Sequence, residues 1–272
     1  MIRSDFHIHT TFADGKNTPE EMVLSAIDKG LRVIGFSEHS ETPLDPSGGM
    51  KLGIEREYIA EIKRLREKYA DKIRILCGIE ADFDTDFLRD EYDYIIGSVH
   101  YLTVGGELYM LDYSPAETMR CINNAFGGDP ILYAKAYYEK LSGICEKTGA
   151  DIVGHIDIIT KFCERGVTLP SDSDQYLSSV KNAVSDIIKA NGKIAFEINT
   201  GAIARGHRTR PYPSADVLSI IKNSGASVVI NSDSHKADGI VSNFDIATEL
   251  AASKGITNGG FFLRGKEYIE QF

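Results

Sequence analysis

The sequence predicts a parallel α/β barrel, and three observations carry that reading. Strand-like and helix-like segments alternate along the 272 residues to give seven βα units, each with a connection long enough for a parallel crossover. No hairpin turn is read between consecutive strands. Nearly every strand ends on a histidine or an acid, and only a closed barrel brings so many strand ends to one face; in a doubly wound open sheet, the alternative, the outer ends lie too far apart. The length suits one barrel, so residues 1–272 are read as a single domain.

The elements follow in order. Ser4 to Thr10 alternates apolar and polar residues and opens the barrel, with His7 and His9 at i and i+2 on one side of an extended segment. The loop around Asp14 leads to Thr18-Pro19-Glu20-Glu21, a capping box with proline at the first helical position, and a helix with Val23, Leu24 and Ile27 inward that stops at Gly30. Leu31 to Phe36 is a buried strand delivering His39. The loop from Glu41 to Gly53, with two prolines, precedes a helix carrying Tyr58, Ile62, Leu65 and Tyr69 at helical spacing. The strand Ile73 to Ile79 delivers Glu80, and Asp93 to Val99 delivers His100.

Residues 101–129 read as an irregular insert with a short capped helix at Ser114-Pro115, suited to a lid or specificity role. A long helix from Asp129-Pro130 runs to near Gly149. The strand at Asp151 delivers His155, a helix around Tyr176 to Ile187 ends at Asn191-Gly192, and Lys193 to Ile198 carries Glu197. The helix Ser214 to Asn223 and the strand Ala226 to Ile230 lead to Asp233 and His235. A helix from Asn243 to Ser253 and a short Phe261-Phe262 segment close the chain.

Charge and cysteines narrow the function. A net charge of −10 argues against holding nucleic acid by bulk electrostatics. Cys77, Cys121, Cys145 and Cys163 form no C-x-x-C pair and read as reduced core thiols. With no signal-peptide pattern and no apolar run long enough to span a bilayer, a soluble cytoplasmic protein is expected.

Six of the seven histidines, His7, His9, His39, His100, His155 and His235, fall at strand ends, and Asp14, Glu80 and Asp233 join them. Imidazole and carboxylate without thiolate suit zinc, iron or manganese, and nine ligands suit two or three divalent ions. Such ions would make a positive pocket in an acidic protein, fit for a phosphate ester. Arg205, Arg208 and Arg210, Lys161 and Lys236 lie in the same loops. Arg205 is the leading anion contact, with Lys161, Arg208 and Ser234 as further substrate contacts, and Asp233, His235 and Arg205 are the candidate catalytic residues.

Asp5-Phe6-His7-Ile8-His9-Thr10, Ser37-Glu38-His39, Gly78-Ile79-Glu80, Gly97-Ser98-Val99-His100-Tyr101, Gly154-His155-Ile156-Asp157, Glu197-Ile198-Asn199-Thr200 and Ser232-Asp233-Ser234-His235 together resemble the polymerase and histidinol phosphatase (PHP) family, in particular its stand-alone histidinol-phosphatase members. The resemblance implies a distorted (β/α)7 TIM-like barrel and three divalent ions. One ion would take His7, His9, Glu80 and Asp233, a second Glu80, His100 and His155, and a third Asp14, His39 and His235; many relatives carry histidine at the position of Asp14. Amidohydrolase barrels also open with His-x-His but place histidine where this chain has Glu197. The activity implied is hydrolysis of a small phosphorylated substrate, L-histidinol phosphate, in histidine biosynthesis; a metal-bound water or Asp233 is expected to protonate the leaving alkoxide. A phosphoesterase acting on nucleotides or oligonucleotides and a non-catalytic metal-binding domain are the alternatives.

Overall fold

The computed structural model describes residues 2–42, 48–263 and 266–271. Seven parallel strands form one sheet: β1 (Ser4–Asp5), β2 (Val33–His39), β3 (Arg74–Asp82), β4 (Tyr94–Ser98), then β7 (Ile152–Val153), β8 (Ala195–Asn199) and β9 (Ser227–Asn231), in that spatial order. Between β4 and β7 the chain makes an antiparallel pair, β5 (Tyr101–Val104) and β6 (Glu107–Met110). The edges β1 and β9 meet. The Phe6 amide donates to Asn231 Oδ1 and the Ser232 amide to Asp5 Oδ1, both at 3.0 Å. One turn higher the backbone takes over, with the Ser234 amide on the His7 carbonyl at 3.0 Å and the His9 amide on the Ser234 carbonyl at 2.9 Å. The sheet is thus a nearly closed seven-stranded barrel.

Helices cover the outside: α1 (Pro19–Asp28), α2 (Glu55–Lys68), α3 (Pro115–Phe126), α4 (Pro130–Ser142), α5 (Ile144–Thr148), α6 (Asp174–Ala190), the short α7 (Gly201–Ala204), α8 (Ala215–Asn223) and α9 (Phe244–Ser253). Local chemistry fixes their starts. Thr18 and Glu21 form the expected capping box on α1, and Ser114, Asp129, Ser173 and Ser214 cap α3, α4, α6 and α8.

Several local expectations are corrected. Leu24 faces outward at 50% exposure, and α1 instead buries Pro19, Met22, Val23 and Ala26. The helix expected from Asp129 to Gly149 is two helices, parted at Gly143. Pro43 and Pro46 of the Glu41–Gly53 loop lie outside the described residues. Two hairpins are present where none was expected: β5 with β6, turning at Gly105 and Gly106, both at positive φ, and β10 (Asn258–Leu263) with β11 (Lys266–Gln271) at the end of the chain.

The last hairpin belongs to the core. Phe261 enters the barrel interior and meets Phe6 edge to face, ring centroids 4.8 Å apart, among Val33, Leu76, Ile96 and Val229. Tyr94 fills the remaining width and donates to the Phe36 carbonyl. A Cβ on Gly78 would lie 2.3 Å from its ring, so glycine is required there for the tyrosine to enter. The lower barrel is therefore packed solid, and the polar residues collect at the C-terminal ends of the strands.

Candidate metal centre

Each strand lifts its polar residues to one mouth. The chain beyond β1 stays extended, so His7 and His9 lie on one side with ring centroids 5.1 Å apart. His39 ends β2 and stands in register with Glu80 of β3. His100 and His155 lie two residues beyond β4 and β7, and Asp233 two residues beyond β9. Asp233 has φ of 49°, left-handed backbone of the kind found where a fold aims a functional side chain.

Glu80 is the hub. Its Oε2 lies 3.1 Å from His7 Nε2, 3.5 Å from His9 Nε2 and 2.9 Å from His39 Nδ1. Its Oε1 lies 2.9 Å from His155 Nε2 and 3.4 Å from His100 Nε2. Asp233 Oδ1 is 3.3 Å from His9 Nε2, and Asp14 Oδ2 is 3.1 Å from His235 Nε2. Among the described residues, four overlapping groups have ligand atoms within 4.8 Å of one another: His9, Asp14, His39 and His235; His7, His9 and Asp233; His7, Glu80 and His155; and His39, Glu80 and His100.

These residues fit divalent cations. His7 Nε2, His9 Nδ1 and Nε2, Asp14 Oδ1 and Glu80 Oε2 are buried and, close as some of them lie to one another, none makes an aligned hydrogen bond within the protein, whereas buried polar groups are ordinarily satisfied. At His7, His39 and His100 burial is outweighed by the surrounding carboxylates, Glu80 among them, which raise the imidazoles, to about 10 at His39, so a cation binding there would displace a proton. The protonation of His9 and Glu80 suits ligation. Burial, reinforced by the neighbouring His235 and His39, pushes His9 down to about 3, so its imidazole is neutral. Burial alone would raise the Glu80 carboxyl, but His7, His39 and His100 outweigh it and hold the group well below the usual carboxylate range.

A second layer orients the first. Glu197 accepts from His7 Nδ1 at 2.6 Å, the His155 amide at 2.8 Å, and the side-chain amides of Asn199 and Asn231 at 2.9 Å each. His7 therefore carries its proton on Nδ1 and turns Nε2 toward Glu80. Asp82 does the same for His100, 3.0 Å from its Nδ1.

Above the ligands lies a cavity of about 180 Å3 whose wall includes Asp112, Ile158, Lys161, Arg205, His207 and Tyr212. Arg205 is about one third exposed (32%) and forks onto Asp233, with Nη2 2.8 Å from Oδ2 and Nη1 2.8 Å from the carbonyl. The Lys161 ammonium is 3.0 Å from Asp112 Oδ2.

The model of the PHP domain matches residues 5–201. The chain belongs to the PHP domain family. The histidinol-phosphatase of Bacillus subtilis is 28% identical over 260 residues, spanning 87% of this chain and 95% of that protein. A Schizosaccharomyces pombe protein named "Probable histidinol-phosphatase" is 27% identical over 265 residues, spanning 88% of this chain and 82% of that one. Among solved structures, the chain is similar to the histidinol phosphate phosphatase of Lactococcus lactis complexed with zinc, L-histidinol and phosphate; identity is 23%, the TM-score is 0.72, and 98% of both chains is covered.

Within this PHP domain the nine sequence-predicted ligand residues all lie at one mouth. The expected substrate contacts divide. Lys161 and Arg205 line the cavity, but Arg208 does not: its guanidinium hydrogen-bonds Thr160 and lies 4.4 Å over the Tyr212 ring, where a flat cation is held by an aromatic face. The Ser234 hydroxyl is taken up in its own turn, donating to the Lys236 carbonyl at 2.6 Å. Asp233 is a poor proton donor for a leaving group. Burial would raise its carboxyl, but Arg205 and His7 outweigh burial and keep it ionised. His207, which sequence reasoning set aside because it ends no strand, lines the cavity; burial and the nearby Lys161 push it down to about 4. Asp112 was missed too, hidden in the insert. Among the described residues no helix is long and apolar enough to cross a membrane.

Proposed function

We propose that this chain is a metal-dependent phosphomonoesterase that hydrolyses L-histidinol phosphate to L-histidinol and phosphate. The carrying observation is the set of buried nitrogen and oxygen atoms left without hydrogen bonds around Glu80, at the foot of a cavity walled by Lys161 and Arg205. The names of relatives spanning most of the chain support the substrate.

In this reading His7, His9, Glu80 and Asp233 hold one divalent ion, Glu80, His100 and His155 a second, and Asp14, His39 and His235 a third, with zinc, iron or manganese as occupants. Glu80 supports the first two sites, since its Oε2 faces His7 and His9 and its Oε1 faces His100 and His155, and the grouping of Asp14, His39 and His235 with His9 supports the third. Bound ions would lower the pKa of water and neutralise phosphoryl charge. Arg205, anchored by Asp233 yet partly exposed, and Lys161 grip the nonbridging phosphoryl oxygens and fix phosphorus over the ligands. The chain acts as one domain, because every barrel strand serves this site, and its unpaired buried Cys77, Cys121 and Cys145 suit a reducing cytoplasm.

The test is phosphate release from L-histidinol phosphate by zinc- or manganese-loaded protein, beside His9→Ala. The loaded wild type is expected to turn over and His9→Ala to lose about a thousandfold or more of kcat/KM, the scale on which metal electrostatics act. A folded His9→Ala protein of full activity would refute the assignment.

A further inference from the structure

Next to the cavity over the metal ligands lies a second one, of about 270 Å3, that shares Asp14, His39, His100 and Asp112 with it. The two differ in charge. Lys161 and Arg205 line the first, whereas no lysine or arginine among the described residues lines the second; the wall it does not share includes Ser40, Thr42, Tyr101, Met110 and Tyr113. On the reading that phosphate sits with the cations, the second cavity receives the leaving alcohol.

The insert builds that wall by strand geometry. From Leu108 to Asp112 burial alternates residue by residue: Tyr109 and Leu111 are buried in the core, while Met110 and Asp112 turn the other way, into the cavity. Leu111 locks the segment, since its amide donates to the His100 carbonyl at 2.9 Å and its own carbonyl accepts from Thr118 Oγ1 at 3.2 Å. Asp112 is thereby held at a fixed height beside a metal-ligand candidate. Tyr113, 69% exposed, stands at the rim.

The carboxylates around this cavity have different partners. Asp14 and Glu80 face the histidines of the metal groups, and Asp82 is committed to the ring and amide of His100. Asp112 faces Lys161, 3.0 Å away. The ion pair places a cation toward the phosphate cavity and an anion on the wall shared with the leaving-group cavity. That charge order complements an ester carrying a phosphate and, on the carbon next to its ester carbon, an ammonium group.

Resting on the phosphatase reading, we infer that Asp112 is the specificity-determining residue that selects phosphate esters of cationic amino alcohols, by receiving the leaving group's ammonium while Lys161 takes the phosphate.

The experiment measures kcat/KM of the metal-loaded protein for L-histidinol phosphate and for its deaminated analogue, 3-(imidazol-4-yl)propyl phosphate. Wild type is expected to prefer the amine-bearing ester, and Asp112→Asn to lower the ratio of the two kcat/KM values about tenfold to a hundredfold, the worth of a hydrogen bond to a charged group. Asp112→Glu should restore much of the ratio. If Asp112→Asn slows both esters equally, Asp112 serves only to position Lys161 and the inference is overturned. If wild type hydrolyses both esters equally well, the inference fails while the phosphatase reading stands. If wild type hydrolyses neither, both fail.

Discussion

Glu197 shows how one residue can govern a site without touching its chemistry. All four of its hydrogen-bond partners are donors, and the shortest fixes the tautomer of His7. A glutamine offers one acceptor oxygen and turns an amide N–H toward a donor, so Glu197→Gln should unseat His7 while leaving a folded barrel. Apparent zinc affinity, measured by competition with a chelator, is expected to fall about tenfold to a hundredfold; unchanged affinity would remove Glu197 from the second layer. The nine ligand candidates were legible because eight of them stand at or just beyond the C-terminal end of a strand, with Asp14 in the loop after the first, a pattern visible locally. Glu197 was legible as a strand end, but its task was not, since its partners stand 190, 42 and 34 residues away along the chain as well as two. His207 follows no strand end, so nothing local marked it.

Among the elements, β7 shares with β1 the shortest length in the barrel, two residues, and Asp151 extends its pairing on both sides. Its amide donates to the Ile95 carbonyl at 2.9 Å, its Oδ2 accepts from the Ile95 amide at 2.9 Å, and its carbonyl accepts from the Ala195 amide at 3.1 Å. Burial raises this carboxyl from 3.8 to about 6, with the Ile95 hydrogen bond opposing. The folded state then holds the proton more tightly than the unfolded chain. The stability this group supplies is fully present below about pH 3.8 and is lost as pH rises through about 6. Asp151→Asn keeps an acceptor and removes the titration, so its melting temperature should gain on that of wild type as pH rises, levelling above about 7. Thermal melts of both proteins across that range check this; a constant difference would show that Asp151 does not titrate as burial dictates. The barrel units were legible from alternating periodicity and capping residues, but the β5–β6 hairpin was not. Its Gly105-Gly106 turn joins strands of only four residues each, too short to show a periodicity, and the tie that makes it structural, Leu111 to His100, is a tertiary contact.

At the scale of the molecule, the candidate ligands come from the ends of β1, β2, β3, β4, β7 and β9, with β8 supplying Glu197. Ions bound by these residues would therefore couple to barrel closure. The closing seam is thin: side-chain bridges through Asp5 and Asn231 below, and a short backbone bridge at Ile8 and Ser234 above, between His7 and His9 on one edge and Asp233 and His235 on the other. An ion held by His7, His9 and Asp233 spans that seam from both sides. Ligands that bind only the folded state stabilise it by mass action, about 2.7 kcal/mol at a hundredfold excess over Kd. Chelation should accordingly lower the melting temperature, and zinc should restore it with a rise that continues with the logarithm of free metal. The loss should be local before it is global. Amide hydrogen exchange in the chelated protein is expected to speed most at His9 and Ser234, whose amides close the seam, and least at Ile79 and Ile96, on β3 and β4 in the middle of the sheet. Uniform faster exchange across all seven strands would mean that the ions stabilise the fold without stapling its edge, and an unchanged melting temperature would uncouple the site from the barrel altogether.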